Sequence, residues 1–405
     1  MLKENLISKI SKRAKEMQAS PIRKLYPFAV QAKRRGITVY HLNIGQPDVP
    51  TPVQLLAGIK SFNETVLPYG PSDGLLELRE EIAQYFKKFD VEVDPSEVFI
   101  TTGGSEAVLF AFILVGDFGD EVLVPEPFYT NYQGFAQQVG ITLRPIPTSV
   151  EDGFHLPNRE VIKSLITPKT KAILLCSPNN PTGTIYEDNE FEEVISVVRE
   201  FDLYLLVDEV YREFAFDGRK PSTLLRFKDI HDRLIVLDSI SKRFSACGAR
   251  IGFIVTKNTE ALSAFMKMGQ ARLCPPTIEQ WGAINGFKHI DEFIDDMIGE
   301  YERRRNVVFE ELKKFPDIEA RKPEGAFYTV VKLPVKNAED FAVWLLKDFQ
   351  HNGKTVMVAP AESFYLTPGK GVDEVRIAYV LEEDKLRDAI RILGKAVSVY
   401  NQRGK

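Results

Sequence analysis

Lys171-Ala172-Ile173-Leu174-Leu175-Cys176 is followed by the loop Ser177-Pro178-Asn179-Asn180-Pro181-Thr182-Gly183. An amphipathic run, Asp188–Glu200, comes next, and then a second apolar run, Tyr204-Leu205-Leu206-Val207-Asp208. Short apolar runs bounded by turn residues read as buried strands, and the run between them has helical period. Strand, helix, strand predicts parallel pairing, because the crossover carries the chain back across the sheet. The alternation extends outward from about Glu97 to Thr256, with strands expected at Val98–Thr101, Glu121–Val124, Leu234–Asp238 and Ile251–Val255, and a helix at Ser105–Val115. This is the pattern of an α/β fold whose mostly parallel sheet is covered on both faces.

The C-terminal third has another texture. Asp291–Phe315 reads as a long charged helix, Phe327–Lys332 as a strand and Ala338–His351 as a helix. Thr355–Val358 and Glu374–Tyr379 read as strands, and Glu383–Tyr400 as a closing helix. That order suits a smaller α+β domain. A helix over Pro27–Arg35 and a strand over Val39–Asn43 could join either unit. With 405 residues, two domains are expected, with room for a cleft.

The formal charge of −5, from 52 Lys+Arg against 57 Asp+Glu, argues against a polyanionic partner. The densest basic runs, Lys33–Arg35 and Arg303–Arg305, sit in helical patterns and are expected to be solvated faces. The charged start from Lys3 and Glu4 has no apolar signal region, and the longest apolar run, Ala107–Gly116, is too short to cross a bilayer. Three scattered cysteines, Cys176, Cys247 and Cys274, point to a reducing compartment, with cytoplasm expected.

In open α/β sheets ligands bind beyond the carboxyl ends of the strands. After Val98–Thr101 comes Thr102-Gly103-Gly104-Ser105, where glycines let backbone approach an anion and a helix N-terminus offers free N–H groups. Read alone it is a tight turn, and it matches neither GxGxxG nor a Walker A loop. The Asn-rich loop after Cys176 reads alone as a capped turn. Asp208 closes a run too apolar for an unpartnered charge, with Tyr211 three residues on. Leu234–Asp238 leads into Ser239-Ile240-Ser241-Lys242, and Arg250 follows eight residues later. A partly desolvated lysine can form a Schiff base with a carbonyl, and hydroxyls with a guanidinium suit a phosphate. A lysine for an imine, an acid for a ring N–H, Asn and Tyr for a phenolate, a phosphate cradle and an aromatic (Tyr129) together describe pyridoxal 5′-phosphate.

The motifs Asn180-Pro181-Thr182-Gly183, Asp208-Glu209-Val210-Tyr211 and Ser239-Ile240-Ser241-Lys242 with Arg250, in this order and spacing, resemble those of the class I/II aminotransferases, aspartate aminotransferase-like enzymes of fold type I. The resemblance runs from about Ile10 to the C-terminus. It implies a large cofactor-binding domain over residues 46–290 with a mostly parallel sheet of the seven-stranded type. Residues 1–45 and 291–405 would form the small domain. Lys242 resembles the lysine that holds the cofactor and shuttles a proton at the substrate Cα. Asp208 matches the partner of the pyridine nitrogen, and Asn180 and Tyr211 match donors to the ring oxygen. Gly104, Ser105, Ser239 and Arg250 match the phosphate cradle. Tyr129 falls where an aromatic stacks on the ring, and Tyr69 matches a tyrosine reaching the phosphate from a neighbouring subunit. Arg376 resembles the clamp on the substrate α-carboxylate, helped by Gly45 and Asn180. The planar guanidinium fork fits a carboxylate as Lys cannot.

The resemblance also implies a homodimer, small amino and oxo acids as partners, no nucleic acid, no membrane and no metal. The segment Ser20–Lys24 would close over substrate. Arg272, in Ala271-Arg272-Leu273-Cys274-Pro275, is expected to line the substrate pocket. The leading expectation is transfer of an amino group from an L-amino acid, aspartate favoured, to a 2-oxo acid such as 2-oxoglutarate. The alternatives are alanine or aromatic donors, or a carbon–sulfur β-lyase of the same fold. A cofactor-sensing regulator would need a DNA-binding domain ahead of the fold, and a dehydrogenase would need GxGxxG.

Overall fold

In chain order the strands are β1 (Thr38–His41), β2 (Val98–Thr101), β3 (Glu121–Glu126), β4 (Thr142–Pro147), β5 (Thr170–Cys176), β6 (Tyr204–Asp208), β7 (Leu234–Ser239) and β8 (Gly252–Val255). The C-terminal region adds β9 (Glu319–Ala320), β10 (Tyr328–Lys332), β11 (Lys354–Met357), β12 (Ala359–Pro360) and β13 (Glu374–Ala378). The structure, a computed structural model, describes residues 10–17 and 23–403. The expectation drawn from Lys3 and Glu4 lies outside the described residues.

A seven-stranded sheet has the order β2-β8-β7-β6-β5-β3-β4. Strands β3 to β7 pair in parallel, and β8 runs antiparallel to both β2 and β7. The central strands are buried on both faces, which is why β5, β6 and β7 are continuous apolar runs rather than alternating ones. β4 is a strand that the sequence reading left unmarked. It lies at the edge of the sheet, where Pro145 and Pro147 need no second partner strand. The helix expected at Ser105 begins at Gly103 and extends to Val115. Apolar almost throughout, it packs against the sheet. Asp188–Glu200 is helical as expected, its start closed by a Glu187–Glu190 capping box.

The C-terminal region carries an antiparallel sheet, β12-β13-β10-β9, and β1 pairs in parallel with β11. The N-terminal strand therefore pairs with a strand of the C-terminal third, in a two-stranded sheet of their own. The long charged helix spans Ile294–Leu312. The helix expected to reach His351 stops at Lys347, and Asn352 and Gly353, both at positive φ, then turn the chain back into β11. One expectation is corrected outright: Arg304 and Arg305 are buried, not solvated. Arg304 pairs with Asp48 and Glu300, and Arg305 reaches Asp217 at 2.7 Å and Glu302 at 3.1 Å. Arg303 alone of that run is exposed, and Lys33–Arg35 is exposed as expected. Cys176, Cys247 and Cys274 are free thiols. Among the described residues no helix is long and apolar enough to cross a membrane.

Candidate active site

The carboxyl ends of β2, β3, β5, β6 and β7 lie along one edge of the sheet. β8, running the other way, brings its N-terminal end to that edge, with Gly252 opposite both Thr101 and Ser239. Residues far apart in sequence are thereby delivered to one cleft of about 670 Å³. It is lined by Gly104 and Ser105 after β2, Tyr129 after β3, Asn180 after β5, and Asp208 and Tyr211 at the end of β6. Ser239 and Lys242 from the end of β7, Arg250 ahead of β8, and Gly45 and Arg376 from the smaller sheets complete the wall. Of the residues matched to the cofactor and the substrate carboxylate, Tyr69 alone lies outside it: it is 79% exposed and does not enter the cleft of its own chain.

The floor is built on close backbone approach. A Cβ on Gly252 would lie 2.3 Å from the Gly103 carbonyl carbon, and one on Gly103 would meet the Arg250 guanidinium at 2.2 Å. Glycine at both positions lets that guanidinium sit beside the first turn of the Gly103–Val115 helix, whose N–H groups and dipole favour an anion. Ser239 caps the next short helix, Ile240–Arg243, which presents Lys242. Lys242 Nζ donates to the Gly45 carbonyl at 2.9 Å and lies 3.7 Å from Cys247 Sγ. A side chain at Gly45 would collide with the Tyr328 hydroxyl, 1.6 Å from where its Cβ would be.

Asp208 accepts the Tyr132 hydroxyl at 2.6 Å and the Val210 N–H at 3.2 Å. Burial nevertheless pushes its carboxyl up to about 6, with the charges of Asp238 and Glu209 adding to the shift. Tyr211 and Tyr328 share a 2.9 Å hydrogen bond, and burial raises the Tyr211 phenol far above its ordinary range. Burial also pushes Tyr129 up to about 12. Arg376 is 1% exposed and donates to Asn180 Oδ1 at 3.1 Å and to the Asn43 carbonyl at 2.6 Å. Its Nε has no partner and no carboxylate pairs with it among the described residues, and burial lowers its pKa. The Asn180 loop is held by its own bonds: Asn179 Oδ1 accepts from the Thr182 N–H and hydroxyl, and the Gly183 N–H reaches the Asn179 carbonyl.

Beneath the floor, chain neighbours of the site residues form a buried ion network. Asp238 pairs with Arg212 at 2.9 Å and Arg243 at 2.7 Å. Arg212 also holds Glu209, and Arg243 holds Glu213. Every charge there has a partner, so the segments carrying Asp208, Tyr211 and Lys242 are fixed to one another from behind.

Arg272 is a correction. It does not line the cleft, because it ends the Thr259–Arg272 helix, where Glu106 at 3.0 Å and the Ser72 carbonyl at 2.8 Å satisfy it. In the segment Ser20–Lys24, residues 20–22 lie outside the described residues. Arg23 lines the cleft and Lys24 pairs with Glu339 at 2.6 Å. The sequence reading missed Tyr132 and Tyr328. Tyr132 is the second residue of the helix Asn131–Val139, three residues after Tyr129, and the two rings meet edge to face with centroids 5.4 Å apart. Tyr328 reaches the cleft only through tertiary packing and left no local signal. Tyr132→Phe removes a hydrogen bond to an ionisable acceptor, worth about 1.5–3 kcal/mol. Turnover is expected to fall roughly 10- to 100-fold. The acidic limb of the pH–rate profile should also move upward, because the phenol favours the charged carboxylate; an unmoved limb contradicts the assignment.

The model of the family described as aminotransferase class I and II matches residues 37–393. An aspartate aminotransferase of Sulfurisphaera tokodaii is 32% identical over 372 residues, 89% of this chain and 90% of that protein. Aromatic-amino-acid aminotransferase 2 of Thermococcus litoralis is 31% identical, covering 96% and 98%. Among solved structures, the Thermus thermophilus aspartate aminotransferase with maleate superposes with a TM-score of 0.86 at 28% identity, covering 96% of this chain and 99% of that one. An alanine aminotransferase from Pyrococcus furiosus gives 0.87 at 28%, covering 96% and 100%. With its sheet order, its strand-end cleft and this full-length likeness, the chain belongs to the class I and II aminotransferases.

Proposed function

We propose that this aminotransferase holds pyridoxal 5′-phosphate in the cleft and moves the α-amino group of an L-amino acid, aspartate foremost, onto a 2-oxo acid such as 2-oxoglutarate. Arg376 carries the reading. A buried guanidinium without an acidic partner is unfavourable, and it opens on the same cleft as Lys242. The α-carboxylate is the anion that amino donor and oxo-acid acceptor share.

The residues present fit the cofactor. Gly104, Ser105, Ser239 and Arg250 would hold its phosphate, Asp208 its ring nitrogen, Asn180 and Tyr211 its ring oxygen, and Tyr129 one ring face. When bound, the cofactor supplies an aldehyde that condenses with amines and a ring that withdraws electrons. Lys242 holds it and then moves a proton at the substrate Cα. Asp208 keeps a proton on the ring nitrogen through a charge-assisted bond. Arg376 orients the carboxylate through its planar fork, and Tyr129 excludes water from one face.

The reading includes a large domain of residues 46–290 and a small domain of 1–45 and 291–405, supported by the pairing of β1 with β11. It includes a homodimer in which Tyr69 reaches the partner's phosphate. Val66 and Leu67, just ahead of Tyr69 in the chain, are exposed apolar residues, as are Val53, Leu56 and Trp281, which is the kind of surface a partner subunit covers. A monomer in sedimentation at assay concentration would contradict the dimer. The free thiols support a cytoplasmic setting. A panel of aspartate, alanine, phenylalanine and cystathionine with 2-oxoglutarate tests the donor. Aspartate is expected to give the highest kcat/KM. A better rate with alanine or phenylalanine reassigns the donor, and pyruvate and ammonia release from cystathionine without oxo acid reassigns the reaction.

A further inference from the structure

Glu126 ends β3 three residues before Tyr129 and is 2% exposed. Its carboxylate accepts the backbone N–H groups of Leu366 at 2.8 Å and Thr367 at 3.0 Å, in the loop between β12 and β13. The same two segments bond in the opposite sense, the Phe128 N–H donating to the Phe364 carbonyl at 2.9 Å. The backbone carbonyl of Glu126 is taken by the Thr148 hydroxyl at 2.7 Å, so the anchor itself is fixed. Among the described residues Glu126 makes no ion pair, so its contacts brace the backbone rather than balance a charge.

What the loop carries gives the brace a purpose. Phe364 is fully buried, and its ring lies 5.2 Å from the Arg376 guanidinium, with the Tyr328 ring at 4.5 Å. We propose that Glu126 is a positioning residue for substrate binding: it ties the loop 364–367 to the segment bearing Tyr129 and so holds Phe364 against Arg376. The inference rests on the reading of Arg376 as the carboxylate clamp. The Leu366 and Thr367 N–H groups both meet the same carboxylate oxygen of Glu126, Oε2, and glutamine can offer them only a neutral amide oxygen there, which weakens both bonds of the brace.

The test uses the cofactor-loaded enzyme and maleate, a dicarboxylate that cannot donate or accept an amino group, titrated by calorimetry. Glu126→Gln is expected to weaken maleate and to raise KM for both amino acid and oxo acid by a common factor, roughly 10-fold. The kcat and the cofactor absorbance maximum should stay in place. Phe364→Leu, which leaves the Glu126 bonds intact, should do the same, and it keeps the test available if Glu126→Gln fails to fold. Adding Glu126→Gln to Arg376→Lys should then change maleate affinity little, because both act on one contact. Unchanged maleate affinity in either single variant, or effects that simply multiply in the double variant, overturns the proposal while a weakened Arg376→Lys leaves the clamp standing. An Arg376→Lys enzyme that binds maleate like wild type overturns the clamp itself and the proposal with it.

Discussion

Lys242→Ala is expected to abolish transamination while the protein still binds the cofactor. Loss of the proton-transferring amine alone removes about 10²–10⁴-fold, and loss of covalent attachment adds to it. Binding should survive because the groups proposed for the phosphate are separate from the lysine. Gly104 and Ser105 begin one helix, Ser239 caps another, and Arg250 stands ahead of β8. The fold should survive as well. Lys242 is only partly buried and its hydrogen bonds end on a carbonyl and a thiol, whereas the ion network that fixes this floor uses its neighbour Arg243. Steady-state kinetics and equilibrium dialysis of the cofactor check both halves, and turnover above a trace would mean that another amine does the work.

Asp208→Asn is expected to have opposite effects on activity and on stability. A neutral amide cannot balance a protonated ring nitrogen. Breaking such a buried pair costs roughly 3–5 kcal/mol, or about two to four orders of magnitude in turnover if felt in full at the transition state. In the cofactor-free protein the same carboxylate is a burden. Its folded value of about 6 lies above its ordinary 3.8, so the stability it contributes is fully present below about pH 4 and is lost as pH rises through about 6. Asparagine has no proton to lose. Relative to wild type, the cofactor-free variant should therefore gain on the order of 2–3 kcal/mol between pH 4 and pH 8. Urea denaturation of both proteins at the two pH values measures this, and an equal difference at both would contradict the environment assigned to Asp208.

The central sheet was legible because strands buried on both faces must be continuous apolar runs, and β5, β6 and β7 are just that. The site was legible because such strands end in residues too polar for their surroundings, Asp208 and the Ser239–Lys242 turn, which only a ligand or a network explains. β4 escaped notice because an edge strand can carry Arg144 and two prolines. Arg304 and Arg305 were misread because a charge run reveals nothing about acids brought from elsewhere, here Asp48 and Asp217. Arg272 was misplaced because its helix end faces Glu106 rather than the cleft. Tyr328 and Glu126 become visible only when β10 meets the turn after β6 and the loop before β13 meets the end of β3, contacts between residues 117 and 240 positions apart.

The most direct measurement is chemical trapping at position 242. The protein is loaded with pyridoxal 5′-phosphate, reduced with borohydride, digested and mapped by mass spectrometry. The account predicts that the retained pyridoxyl mass lies on Lys242, and that prior incubation with an excess of amino donor removes it. A label on another lysine, or none on a protein that has bound the cofactor, would contradict the account.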